Sequence, residues 1–439
     1  MEAAMHTTKW APILPPSSEL ARRAWESINA IADEILKQRY LYAGTLSHGH
    51  SVYEDAILLA YMARRGDDCK WRTSSLERLN RAIEQSASTM SHLALFGGMC
   101  GLGWTVEHLS HFLSHASERA QRDDSEGVED DALQGDPCED LDEVLIRRLQ
   151  SGLAVAGYDL LHGHVGLGVY FLERWPGGRS IDGLRLVVDG LERLAERVGP
   201  DISWYSHPEW MMDKTFPAGC YNFGVAHGIP GVLHFLCQVA RCGIDTQRVM
   251  SLLKRAISWF LAHASQNKGR ARFSACVTPK GLARASRPVW CYGDLGIAAI
   301  LSQIADLTLD NNLDIFAREM LSCCTNLPSD MYQVNDAGLC HGAAGVAHVY
   351  NRLYQAKGDS RYRDASVFWF ERALNMFRPK TGIGGYSKYT RHYDSDTVKW
   401  EASPAFLDGS IGIALALLGA VTVVEPEWDR LLLLSSRMK

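Results

Sequence analysis

The 439-residue chain has no apolar run long enough to cross a bilayer. Its longest, Ile411 to Val424, falls short of the roughly 20 residues a spanning helix needs, and Gly412 and Gly419 interrupt it. The stretch from Met1 to Leu20 lacks a basic segment followed by an apolar one, so it does not read as a secretory signal. An excess of positive charge is also missing. The 45 Lys and Arg against 51 Asp and Glu leave a net charge of -6, which removes any global electrostatic case for nucleic acid as a partner. Proline is modest at 15, and the 38 glycines follow no collagen-like period. Runs of alternating apolar and polar residues, as a sheet protein would show, are absent. The 11 cysteines cannot all pair internally. The expectation is a cytoplasmic protein with no integral membrane segment, whose cysteines are core residues, metal ligands or catalysts.

Hydrophobic residues make up 46% of the chain, enough for a large core. The dominant period is helical. Trp25, Ile28, Ala32 and Ile35 form a stripe after Ser17 and Ser18, which predicts a capped helix start there. Ser74 and Glu77 fit a capping box ahead of Leu76, Leu79 and Ile83. Leu184, Val187, Leu191, Leu194 and Val198 form a third stripe, with Gly199–Pro200 as its stop. One segment differs: residues 123–143 hold eleven acids and no Lys or Arg. Self-repulsion and few large apolar groups predict a flexible acidic insertion there, a solvated loop or a docking surface for a basic partner.

A second, strongly apolar helix type alternates with these, and it repeats. Gly-x-x-Gly opens it at Gly98, Gly163, Gly228, Gly293, Gly342 and Gly409. A degenerate copy surrounds Gly49, with Val52 in the second glycine's place. The intervals are 49, 65, 65, 65, 49 and 67 residues, each long enough for one amphipathic and one apolar helix. Apolar helices must be buried and amphipathic ones can cover them. The pattern predicts one domain over residues 1–439, with repeats over about 40–425 and seven helix pairs closing into inner and outer layers. Helix N-termini would then gather at one end, which is the place to look for chemistry.

Two of these turns carry cysteine at equivalent positions, Cys291 before Tyr292–Gly293 and Cys340 before His341–Gly342. If those turns converge, two thiolates and an imidazole suit Zn²⁺ with one position open. Buried cysteines and an ordinary turn histidine would give the same letters. His48, His162 and His227 also precede turn glycines, and Asp159 lies close enough to His162 to orient a histidine or to cap a helix. Arg287 sits four residues before Cys291. A zinc-coordinated thiol is a thiolate at neutral pH, and a histidine titrating near 6.5 could handle the second proton.

Cys291 with Gly293, the Cys340–His341–Gly342 triplet and Ala226–His227–Gly228 resemble the lanthionine synthetase C-like family. Trp204-Tyr205-Ser206-His207-Pro208-Glu209 is a further shared feature. The resemblance implies an all-α fold, an α/α toroid of seven inner and seven outer helices. It implies one Zn²⁺ per chain on Cys291, Cys340 and His341. The activity it implies is Michael addition of peptide cysteine thiols to dehydroalanine or dehydrobutyrine, giving lanthionine and methyllanthionine rings. His227 would transfer the proton, with Asp159, Arg287 and Tyr292 supporting the site. The substrate would be a dehydrated precursor peptide with its leader, supplied by a partner dehydratase and passed to an exporter, in the cytoplasm and peripheral to a membrane-associated complex. Two alternatives share these motifs: a relative adding glutathione to dehydroamino acids in proteins, and a non-catalytic peptide-binding scaffold with a structural zinc. A prenyltransferase-type toroid would need an Asp ligand, and a toroidal glycosidase a carboxylate pair in equivalent turns; neither pattern is present.

Overall fold

A helix apolar on every face has to be enclosed, and one with a single wet face can enclose it. The computed structural model shows that alternation. It describes residues 10–37, 51–66, 69–89, 92–120, 135–152, 155–210, 218–266, 271–281, 283–392 and 397–435. The helices are α1 (Glu19–Lys37), α2 (Val52–Ala63), α3 (Cys69–Thr89), α4 (Met99–Ala120), α5 (Glu139–Gln150), α6 (His164–Arg174) and α7 (Ser180–Leu194). There follow α8 (Ile229–Arg241), α9 (Thr246–Ala262), α10 (Asp294–Thr308), α11 (Asn311–Thr325), α12 (Ala343–Lys357), α13 (Ser360–Asn375) and α14 (Ser410–Val421). Among the described residues, short strands lie in the connections: β1 (Glu196–Val198), β2 (Asp201–Ser203), β3 (Tyr205–Ser206), β4 (Cys220–Asn222), β5 (Cys276–Val277), β6 (Ala283–Arg284), β7 (Lys388–His392) and β8 (Thr397–Glu401). Among the described residues no helix is long and apolar enough to cross a membrane.

The chain forms two compact units, residues 1–75 with 324–427 and residues 76–323 with 428–439. In the second, α4 packs on α6, α6 on α8 and α8 on α10. Helix α8 is buried from Ile229 to Val239. Its companion α9 buries only Val249, Leu252, Leu253, Ala256, Trp259 and Phe260, a stripe at helical spacing. Each of its Val, Leu and Phe side chains contributes about 1.5–3 kcal/mol through burial. The strands β3–β4–β5–β6 form one antiparallel sheet beside these helices. In the first unit, α14 is buried along its whole length and packs against α1, α2 and α12, with α13 covering α12.

The repeated glycines are explained by backbone crowding. The first glycine of the pair is the N-cap of α6, α8, α10, α12 and α14. The second lies against the carbonyl six residues earlier. A Cβ on Gly296 would stand 2.1 Å from the Trp290 oxygen, and one on Gly345 1.7 Å from that of Leu339. Gly293 has φ +115°, a conformation that favours glycine, and its Cβ would sit 1.9 Å from the Arg287 oxygen.

Three expectations need correction. Residues 139–143 of the acidic stretch are not a loop: they begin α5, where Glu139, Asp140 and Asp142 favour the positive helix start. Asp142 is fully buried, accepts hydrogen bonds from Tyr170 (2.6 Å) and Arg174 (2.7 Å), and shares Arg174 with Glu107 and Asp136. Residues 123–134 lie outside the described residues, as do His48 and Gly49 of the degenerate repeat. The capping box at Ser74 is absent, because α3 already starts at Cys69, and Leu76 and Ile83 are exposed. The third stripe ends at Leu194. Val198 belongs instead to β1, which turns at Gly199–Pro200 and pairs with β2.

Candidate functional site

Three turns of the second unit meet, each leading into a buried helix. Backbone bonds lace them together: the Leu160 N–H donates to the Ala226 carbonyl (3.2 Å), and the Ala226 N–H to that of Cys291 (3.5 Å). The first turn carries Asp159, the second His227 and the third Cys291 and Tyr292. Close approach of the last two turns depends on Gly224, whose Cβ would meet the Tyr292 ring at 2.6 Å and the Cys291 oxygen at 2.7 Å.

Asp159 is fixed at both oxygens. Oδ1 accepts the backbone N–H groups of His162 (2.7 Å) and Gly163 (2.9 Å), capping the start of α6. Oδ2 lies 2.7 Å from His227 Nδ1. Burial works against its charge, but the hydrogen bond and charge of His227 and the N–H of His162 outweigh it. They hold the carboxyl below the usual carboxylate range, so Asp159 is ionised at neutral pH. An ionised carboxylate can only accept, so Nδ1 of His227 carries a proton, and in the neutral ring the free lone pair is on Nε2. His227 is half-buried, with 32% of its side chain exposed.

His227 lies near two rings: His162, nearly parallel at 13° with centroids 6.2 Å apart, and Tyr292, at 6.4 Å. Tyr292 is anchored by Asn222, at the end of β4. The Asn222 Oδ1 accepts the Gly224 N–H (2.9 Å), which directs its Nδ2 donor to the Tyr292 hydroxyl (3.1 Å). That phenol oxygen therefore accepts from Asn222 and retains its own proton to give elsewhere. Burial raises the Tyr292 pKa above the usual phenol value, so it stays protonated. Arg287 is half-buried and enters the site through its backbone, its carbonyl lying under Gly293. Buried Tyr158 hydrogen-bonds Ser206 (2.7 Å), tying the Asp159 turn to β3 and to the Trp204–Glu209 segment.

Cys291 is buried two residues before Gly293, the N-cap of α10. In the other unit, Cys340 is half-buried just ahead of α12 and its N–H donates to the Leu407 carbonyl at 2.6 Å. Both thiols sit near a helix N-terminus, whose positive end favours the thiolate. Sequence reasoning missed Asn222. The available signal was an Asn/Asp-x-Gly turn in repeat register: Asn222 lies six residues before Gly228, and Asp336, which accepts the Gly338 N–H (3.0 Å), six before Gly342.

Residues 42–433 match the family model described as lanthionine synthetase C-like protein. The nisin biosynthesis protein NisC of Lactococcus lactis subsp. lactis is 24% identical over 243 residues, 52% of this chain and 57% of that protein. Glutathione S-transferase LANCL1 of Danio rerio is 27% identical over 157 residues, 35% of this chain and 36% of that protein. The matches thus span about half or less of these relatives' lengths. A solved nisin cyclase structure aligns with a TM-score of 0.67 at 18% identity, covering 94% of this chain and 97% of that one. The shared fold is all-α, of the α/α toroid class. The family match takes in all six intact Gly-x-x-Gly turns and the Asp159–His227 pair, and the chain belongs to the lanthionine synthetase C-like family.

Proposed function

We propose that this protein is a zinc-dependent cyclase that adds cysteine thiols of a dehydrated precursor peptide to dehydroalanine or dehydrobutyrine, forming lanthionine and methyllanthionine rings. The observation that carries this reading is the Asp159–His227 pair at 2.7 Å, in a chain that belongs to this family. His227 presents Nε2 as a base to the thiol proton and returns that proton to the substrate Cα. The S–Cβ bond forms as the Cα=Cβ π bond breaks, so the addition balances without an oxidant or reductant. Tyr292, its oxygen already paired to Asn222, directs its own proton toward the oxygen on which enolate charge develops. Arg287 is proposed to support the site with its positive charge.

Cys291, Cys340 and His341 are the proposed ligands of one zinc ion. Their donor set fits it: two thiols that helix N-termini favour as thiolates, and an imidazole. Bound there, zinc would supply activation of the incoming thiol at neutral pH. In this reading a partner dehydratase prepares the peptide, an exporter receives it, and the reaction runs in the cytoplasm. The likeness to a glutathione S-transferase supports a second reading, in which glutathione is the thiol added to dehydroamino acids in proteins.

The test measures free thiols and mass after mixing the zinc-loaded protein with a dehydrated precursor peptide, with and without glutathione. Loss of peptide thiols at constant mass supports the cyclase. A gain of one glutathione mass per dehydroamino acid supports the second reading. Neither change would refute both. About one zinc per chain, lost in both Cys291→Ala and Cys340→Ala, supports the ligand set; retention in either removes that cysteine from it.

A further inference from the structure

We propose that Asp159, His162 and His227 form a second divalent-cation site, of the two-histidine, one-carboxylate kind. In it a borderline ion such as Zn²⁺ or Co²⁺ takes the place of the proton shared by Asp159 and His227. One donor atom from each residue lies within 4.8 Å of the other two. An ion with bonds of about 2.0–2.2 Å can span such a set once exposed His162 turns inward and the 2.7 Å contact between Asp159 and His227 widens to admit it. The His162 and His227 ring centroids are 6.2 Å apart, close enough for one nitrogen of each ring to reach a common ion when exposed His162 turns. The carboxylate contributes Oδ2, since Oδ1 is committed to the N–H groups of His162 and Gly163. Asp159 is already ionised, so an ion arriving there meets a charge of opposite sign. Two imidazoles and one carboxylate oxygen suit Zn²⁺, Co²⁺ and Ni²⁺ better than Mg²⁺ or Ca²⁺.

The site has a definite cost for chemistry. Its ion needs the nitrogen of His227 that faces Asp159, so binding releases the Nδ1 proton and breaks the hydrogen bond that orients the imidazole. Metal beyond the first equivalent therefore inhibits, and inhibition weakens at acid pH, where protons compete for the histidines. The inhibition rests on the cyclase reading; the binding does not.

The experiment titrates chelator-treated wild type and His162→Gln with Co²⁺, following the visible spectrum. Cobalt on thiolates shows sulfur-to-metal charge transfer in the near ultraviolet, and cobalt on His and Asp shows only d–d bands. In wild type a second equivalent should add d–d intensity without charge transfer. His162→Gln should keep the first equivalent and an unchanged Tm, and weaken the second at least about tenfold. Equal second-site affinity in His162→Gln, charge transfer accompanying the second equivalent, or no second equivalent by about 0.1 mM Co²⁺ would each overturn the proposal. A first equivalent without charge transfer would instead count against the Cys291 and Cys340 ligands, and the second step would still be read from His162→Gln. In peptide cyclisation, excess Zn²⁺ should slow wild type and spare His162→Gln.

Discussion

Replacing Asp159 by Asn should disable the site by moving one proton. Oδ1 of Asp159 accepts two backbone N–H groups, from His162 and Gly163. An asparagine must keep its carbonyl oxygen on those donors, because its NH₂ cannot accept them. The NH₂ is then forced toward His227, whose Nδ1 must become an acceptor. The ring proton shifts to Nε2, and the atom that should take the thiol proton already holds one. Losing a positioned general base costs about 10²–10⁴-fold in kcat, or about 3–5 kcal/mol of barrier. Stability should fall little, because the cap on α6 survives. Asp159→Ala loses the cap as well, about 1 kcal/mol more. The assay pairs the rate of peptide thiol loss with ¹⁵N spectra of His227, which report the tautomer directly. A rate within about threefold of wild type, or Nδ1 still protonated in Asp159→Asn, would refute the reasoning.

Other outcomes follow from single contacts. Asn222→Asp, which keeps an acceptor for the Gly224 N–H but loses the Nδ2 donor, should slow turnover about tenfold, and Asn222→Asp/Tyr292→Phe should be no slower than Tyr292→Phe alone, since both changes break the Asn222–Tyr292 hydrogen bond; additive losses would show that Asn222 does not act through the phenol. Fully buried His234 bonds Gln303, and burial depresses its pKa from 6.5 to about 4. Folded protein keeps it neutral while the unfolded chain binds a proton, so stability is lost as pH falls from about 6.5 to 4, by about 3 kcal/mol in all. His234→Gln should remove that part of the slope in urea unfolding at pH 7 and pH 4.5. For Asp159 the sign is opposite in cause: its lowered pKa contributes stability above the ordinary carboxylate range that disappears as pH falls through the folded value, so the gap between wild type and Asp159→Ala should narrow below about pH 4. Gly296→Ala should cost about 1–3 kcal/mol, because its Cβ meets a backbone oxygen at 2.1 Å, whereas Gly66→Ala, with open space around it, should cost little.

The repeat was legible because its cause is local. Wherever a buried helix starts against the carbonyl six residues earlier, only glycine fits, and the letter shows in the sequence. The apolar helices and the stripe of α1 were legible for the same reason, their period being written within one helix. What was not legible depends on distant partners. The acidic stretch looked like a solvated loop because Arg174, which holds Asp142, lies on another helix. The start of α3 was hidden behind a capping motif that the preceding residues override. The residues Asp159, His227 and Tyr292 could be named, but that Asp159 meets His227 rather than His162 is a tertiary fact, as is the role of Asn222 in aiming the phenol.

The backbone bonds from Leu160 to Ala226 and from Ala226 to Cys291 have an evolutionary consequence. Because they join main chain to main chain, the spacing of the reactive groups is independent of which side chains cover the outer layer and of how many residues separate one turn from the next. Both intervals that these bonds close are 65 residues, and length can change within such connections while the turns keep their spacing. Under the proposed function, a change of substrate would then call for altered loops at the periphery, and selection could vary what is recognised without moving these turns.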